Sequence, residues 1–363
     1  TPEMTTVQFT CPDGEWLLSY LLSMADCTEV LAPADLREKM RQRINVLAEL
    51  YNNKETNTQN LTSCCQVIPG KITAESREQS MSIVPEISAR TLLTPMKNAQ
   101  WWFGGDYNMN LYRGCCHGCI YCDSRSECYG NDQFDTVMVK KDVLTLLEKE
   151  LKSKRRTGVV MNGAMTDPYN PFEKQLEVTR GSLALLDRYG FGVGFATKGI
   201  LAVRDIDLLC RIHQHSPVLC KFTITAADDA LARKIEPYAP SSTRRFEAMA
   251  KLSKAGLFTG VLLMPVLPGI TDDRENIRQI LIRAKEAGAQ FVYCSYGMTM
   301  RDRQREYYYQ CLDEQFPGLK EKYIRRYGNR YSCACRKPVE LKAMIETECR
   351  QLGLLTQMKA IIE

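Results

Sequence analysis

The sequence predicts an α/β fold: a partial (β/α)6 TIM-like barrel with a small N-terminal α+β module and a helical C-terminal cap. Three observations predict it. From about Tyr107 onward, short apolar runs alternate with amphipathic stretches six times. The runs 158–161 and 260–264 are apolar without alternation, as parallel strands covered on both faces are. A loop rich in cysteine and glycine follows the first run, at the sheet edge where such folds carry their sites.

Composition sets the frame. The 363 residues are 44% hydrophobic and 25% charged, ordinary for a globular chain with room for one large domain and a small one. No apolar run nears the roughly 18 residues of a membrane span, and no export signal is present. Sixteen cysteines are many for this length. Clustered, and without an export signal, they point to metal ligation in a reducing cytoplasm rather than to a disulfide framework. The net charge of +5 is unevenly placed: residues 1–80 hold 7 basic against 11 acidic residues, and 301–337 hold 10 against 5. This hints at two modules and is compatible with an anionic substrate.

Residues 1–52 read as strand, helix, strand, helix. The strands fall at 6–9 and 28–31. The first helix carries Trp16, Leu17, Tyr20 and Leu21 at helical spacing, and the second starts at Pro33 and runs to about Tyr51. Residues 53–80 are a polar linker with Asn53, Asn57, Asn60 and a Pro69–Gly70 turn, and Met81 opens the core, 81–300. Its strands end near Leu111, Asn162, Ala196, Thr223, Met264 and Ser295. Helical patterns lie near 142–153, 174–189, 203–213, 241–255 and 272–287. Periodicity alone fits an open partial barrel or a doubly wound sheet equally. Residues 301–363 are mainly helical and cover one end.

The strongest signal is Cys115, Cys119 and Cys122, at spacings of four and three, in a loop with Gly114 and Gly118. Glycine lets the backbone wrap closely around a bulky centre. Three thiolates on a [4Fe–4S] cluster leave one iron open to a substrate or cofactor, whereas four cysteines saturate it. The competing reading is a zinc site, with Cys116 or His117 as the fourth ligand, or buried inert thiols.

This loop, with the aromatic Tyr121 before its last cysteine, resembles the radical S-adenosylmethionine (SAM) superfamily. Tyr112, Arg113 and Gly114 before it, and Asp123, Ser124, Arg125 and Ser126 after it, resemble the spore photoproduct lyase-like group. Further matches are the segment from Asn162 through Thr166, Asp167 and Pro168 to Glu173, then Ala196-Thr197-Lys198-Gly199, Lys221-Phe222-Thr223, and Met264-Pro265 onward to Asp272. The resemblance covers roughly residues 85–300. It implies that an open iron chelates SAM, that one electron splits the sulfonium C–S bond, and that the 5′-deoxyadenosyl radical takes a hydrogen from substrate. It also implies roles. Lys198 pairs with the cofactor carboxylate, against the plain alternative of a solvated turn lysine. Thr166 and Thr223 bond the methionyl or ribose groups, against local capping. Tyr121 faces the adenine. Asp167 orients Thr166 or the ammonium group, against a simple Asp-Pro turn. Arg180 and Glu173 are explained as well by a solvated helix face. A flavodoxin or ferredoxin is the expected reductant.

Two positions depart from the lyase pattern. Where the lyase has its hydrogen-donor cysteine this chain has Ala164, and where it has a tyrosine after the third cluster cysteine this chain has Asp123. Substitute donors are Cys128 and Cys294, with Cys333 and Cys335 behind them. Cys333, Cys335 and Cys349 also raise the idea of an auxiliary cluster. Six arginines and six tyrosines interleave across 301–331, a pattern that suits distorted nucleic acid or an amphipathic cap packed on the barrel. In the first module, Ser19, Tyr20, Leu21, Leu22 and Ser23, then Glu29, Val30 and Leu31 through Arg37 and Glu38, resemble the C-terminal extension of WYL-domain regulators. Two classes of function follow: a radical SAM enzyme acting on DNA, or else on a small molecule, peptide or RNA; and a non-catalytic zinc or nucleic-acid-binding module. The oligomeric state stays open.

Overall fold

The computed structural model describes residues 84–97 and 102–363, together with Glu38, Arg41, Gln42, Ile44 and Asn45. The chain divides into two compact units, 1–71 and 72–363. In the first unit the described residues are helical, with Glu38 and Arg41 paired one turn apart. The strands and helices expected in 1–52, the linker 53–80 and the opening at Met81 lie outside the described residues.

The second unit begins with β1 (Glu86–Ile87), β2 (Thr94–Pro95), β3 (Tyr107–Met109), β4 (Tyr112–Arg113) and β5 (Met138–Lys140). Helix α1 (Val143–Ser153) leads into β6 (Val159–Asn162), then α2 (Glu173–Leu176), α3 (Val178–Arg188) and β7 (Gly192–Thr197). Next come α4 (Ile206–His213), β8 (Val218–Thr223), α5 (Asp229–Ile235), α6 (Ser242–Lys254) and β9 (Phe258–Leu263). The series closes with α7 (Arg274–Glu286) and β10 (Phe291–Cys294).

Among the described residues the main sheet runs β10-β9-β8-β7-β6-β3-β2, parallel from β3 to β10, with β2 antiparallel at its edge. Its two ends do not pair, so this is the open, partial barrel and not a closed one. Strand alternation sorts the side chains. Val160, Phe195, Cys220, Phe222 and Val261 pack outward beneath the helices. Met161, Leu219, Leu262 and Phe291 face the lumen, where Phe103 and Ile361 join them.

The six strands expected from the apolar runs all form, each ending within two residues of the expected position. Three features differ. The helix expected over 174–189 is broken at Glu177, which takes a left-handed φ of 49°. The buried Glu173 carboxylate explains the break, because it accepts the Thr179 and Arg180 amides at 2.9 and 3.2 Å and so caps α3. Helix α5, capped by Asp228, is too short to leave a periodic signal. The pairings β1-β5-β4, and of β11 (Gly297–Thr299) with β12 (Ser332–Ala334), involve strands of two or three residues.

The C-terminal cap comprises α8 (Asp302–Gln315), α9 (Leu319–Tyr327), α10 (Pro338–Leu352) and α11 (Met358–Ile362). Tyr308, Tyr323 and Tyr327 are buried, and the Tyr308 hydroxyl donates to that of Tyr323, which donates to the Pro268 carbonyl at 2.7 Å. Of the two readings of the arginine–tyrosine segment, the packed cap therefore describes these three tyrosines. Cys333, in β12, packs into one apolar cluster, while Cys335, just past the strand, and Cys349 pack into another. Among the described residues no helix is long and apolar enough to cross a membrane.

Candidate active site

The three cysteines ride on the segment after β4, at the C-terminal edge of the parallel strands. Two straps hold it. On one side the Cys115 amide donates to the Phe134 carbonyl at 2.8 Å, and Gly114, at φ 79°, lies so close to the Thr136 carbonyl that a Cβ would collide with it. On the other, the Ile120 amide donates to the Ile235 carbonyl at 3.0 Å, and the Tyr238 amide to that of His117 at 3.1 Å. Gly118, at φ 68°, leaves room for the Tyr238 ring. Both glycines are required: the backbone is left-handed and the space is taken.

Beneath the loop lies a buried charge network that motif reading misses. Glu236 and Arg245 pair at 2.5 Å, each almost fully buried. Tyr121 donates its hydroxyl to the same Glu236 carboxylate, so its edge is fixed by the network. Arg245 also donates to the Thr223 carbonyl at 2.9 Å and the Pro240 carbonyl at 2.8 Å. An isolated glutamate and arginine 9 residues apart carry no pattern in sequence; only the fold brings them under Tyr121.

Lys198 directly follows β7, with its ammonium 5.6 Å from the centre of the Tyr121 ring. Burial alone would lower its pKa; the Cys119 thiol, the Glu236 carboxylate and Cys122 outweigh that and raise it, so the ammonium stays charged. Burial in turn raises the thiols of Cys115, Cys119 and Cys122, with Cys119 pushed up to about 12. Iron binding at these thiols therefore displaces protons.

Asp167 does not orient Thr166. One of its oxygens accepts the Thr197 hydroxyl at 2.5 Å and the Tyr169 amide at 2.9 Å; the other accepts the Lys198 amide at 2.7 Å and lies 3.4 Å from Nδ1 of His117. It fixes the backbone that carries Lys198. Thr166 donates to the Gly114 carbonyl at 2.5 Å, tying the end of β6 to the cysteine loop. The Thr223 hydroxyl takes no partner among the described residues. Burial lowers the pKa of His117, whose Nε2 is buried without a partner.

The two proposed hydrogen donors separate. Cys294 lies on the outward face of β10, packed with the helix-side core, while Phe291 and Tyr293 take the lumen face. Alternation turns its thiol away from the lumen, which removes it as a donor. Cys128 is exposed, and its sulfur accepts from Arg301 at 2.9 Å and from Ser126 at 3.2 Å. Asp123 is a clamp: it accepts from Tyr129 and from Thr299, each at 2.8 Å, and lies 3.6 Å from Arg301. Ala164 is exposed at the strand-end mouth. Glu173 and Arg180 are held in structural ion pairs, with Arg204 and with Asp205 and Asp207.

The sequence pattern described as the radical SAM superfamily matches residues 109–281. This chain belongs to the radical SAM superfamily. A second pattern, described as a WCX domain, matches residues 3–48 and coincides with the segment that resembles WYL-domain regulators. An uncharacterised protein of Mycobacterium tuberculosis is 33% identical over 229 residues, covering 61% of this chain and 67% of its own length. A protein of Pseudomonas phage M6 named radical SAM Nα-GlyT isomerase is 24% identical over 174 residues, 48% of this chain and 35% of that one. A spore photoproduct lyase structure with bound AdoMet and dinucleoside spore photoproduct superposes with a TM-score of 0.56 at 15% identity, covering 80% of this chain and 86% of the other. That likeness is one of fold. As a radical SAM enzyme the chain uses a [4Fe–4S] cluster and SAM, and needs a reductant. The residues fit: three soft thiols share one loop, and a half-buried cation, Lys198, stands beside them for an anionic cofactor group.

Proposed function

We propose that Cys115, Cys119 and Cys122 each bind one iron of the cluster, that Lys198 receives the SAM carboxylate, and that the enzyme acts on a base in DNA. The carrying observation is the placement of the three thiols on one glycine-shaped loop at the strand ends, with the charged Lys198 held beside them by Asp167. Three thiols at these spacings leave one iron of a cubane without a protein ligand, whereas a structural zinc takes four protein ligands, so the donor set favours the cluster over zinc.

When bound, the reduced cluster supplies the electron that splits the sulfonium bond of SAM and frees a 5′-deoxyadenosyl radical. The chain's own residues do the rest. The Glu236–Arg245 pair holds Tyr121 so that its ring and backbone stand at the adenine end. Thr223 offers its free hydroxyl to the ribose or methionyl group. Thr166 holds the cysteine loop to β6 and spends its donor on Gly114, so its part is to position. The fold likeness to a spore photoproduct lyase structure holding a dinucleoside spore photoproduct supports the DNA reading. Ala164 fits an isomerisation such as the phage relative is named for: there the hydrogen taken from substrate is returned by 5′-deoxyadenosine, and no donor thiol is required.

Anaerobic reconstitution tests the first part. About four irons and four sulfides per chain, with 5′-deoxyadenosine formed from SAM and dithionite, are expected. A colourless zinc protein would overturn it. Incubation with ultraviolet-irradiated and thymine-modified DNA, followed by digestion and mass analysis of the nucleosides, tests the second. Cofactor cleavage with every nucleoside unchanged would leave the cluster reading intact and move the substrate to a small molecule, peptide or RNA.

A further inference from the structure

We propose that Lys221 is an anion-anchoring residue inside the barrel, where a phosphate or carboxylate of the substrate is held. The proposal rests on the reading that substrate meets SAM at the lumen end of the strands. Lys221 shares the inner face of β8 with Leu219 and Thr223, while Cys220 and Phe222 face the helices. It lies two residues, roughly 7 Å, below Thr223.

Its side chain is 2% exposed. The ammonium meets the Met161 sulfur at 3.5 Å and the face of the Phe103 ring at 4.7 Å. No carboxylate pairs with it among the described residues. The other buried cations differ: Arg245 has Glu236, and Arg125 has Asp135. A buried cation without an anion is a cost to folding that an apolar side chain would avoid. Folding therefore does not explain a lysine here; a ligand does.

The surroundings are shaped to match. In register with Lys221, β7 presents Ala196 and β9 presents Gly260. Neither side chain extends across the amine. Phe103, which covers it, holds a left-handed φ of 53°, and Gly104 follows at 68°. A left-handed phenylalanine stores about 1–2 kcal/mol of backbone strain, and such strain gathers at ligand sites. The ring, packed against Trp102, Phe291 and Tyr293, is the cover that a ligand would displace: an anion in its place gives the ammonium an ion pair instead of a ring face. Burial also lowers the amine to about 7, as an unpartnered ammonium requires.

The test uses the full chain, reconstituted anaerobically, as wild type and Lys221→Met. Thermal midpoints are read alone and with inorganic phosphate or with acetate. The variant is expected to melt at or above the wild type. Either anion should raise the wild-type midpoint by about 2 °C or more beyond any rise in the variant. Salts excluded from surfaces raise both forms alike, so the difference is the readout. A response to phosphate alone points to a phosphoryl group, and to acetate alone to a carboxylate. A variant melting several degrees lower makes Lys221 a structural strut and overturns the proposal. Equal shifts in both forms, or none in the wild type, overturn it too. The readout needs no turnover: iron well below four per chain in both forms would count against the cluster reading and leave this comparison standing.

Discussion

Single residues divide by whether the fold needs them. Lys198 has its backbone fixed by Asp167 and its charge kept by the thiols and Glu236. Lys198→Met should weaken SAM binding about 10- to 100-fold by calorimetry on reconstituted protein, the loss of one charge-assisted pair. Lys221 is the opposite case. Its amine is lowered to about 7 by burial, the Cys220 thiol being the titratable neighbour that acts on it. The unfolded chain therefore holds more protons than the folded one between about pH 7 and pH 10, and wild-type stability gains as pH rises through that window. The advantage of Lys221→Met over wild type should be largest near pH 7 and shrink towards pH 10. Denaturant midpoints across that range check it, and an advantage that grows with pH would contradict the assignment.

Elements carry the site through their ends. The cysteine loop is strapped by the Phe134 and Ile235 carbonyls and by Thr166. Gly114→Ala should abolish iron loading, because a Cβ meets the Thr136 carbonyl and the φ of 79° is strained for alanine. Retention of four irons in that variant would show the strap to be dispensable. Glu236→Gln leaves Arg245 buried opposite a neutral amide. It should cost about 3 kcal/mol, seen as a lower denaturant midpoint. Asp123 explains a departure that the sequence leaves as a puzzle. Where the lyase pattern has a tyrosine, this carboxylate binds Tyr129, Thr299 and the neighbourhood of Arg301, and so fastens the cluster loop to β11 and α8.

The whole molecule separates at residue 71. A chain starting at Ile72 should fold, load about four irons and cleave SAM, since the second compact unit contains the sheet, the loop and the cap. Failure of that fragment to bind iron would make the first unit part of the site. At this scale the sequence was most legible. Continuous apolar runs gave the parallel strands because burial on both faces leaves nothing to alternate, and the thiol spacing gave the loop because local geometry sets it. Pairings over long separations were hidden. Glu236 under Tyr121, Asp123 against Thr299 and Lys221 beneath Phe103 depend on register and on which way a strand faces. Cys294 failed as a donor for that reason: a one-residue step along β10 turns a side chain from the lumen to the helices.

The clamp at Asp123 has a consequence for biogenesis. Its partner Thr299 lies 176 residues downstream, and Arg301 follows two residues later. A ribosome translating this message releases the three sulfurs long before the residues that fasten the neighbouring Asp123 exist. The loop's last fastening therefore forms only on a nearly finished polypeptide. Pausing translation between the two stretches should leave the three sulfurs open to alkylation and to oxygen.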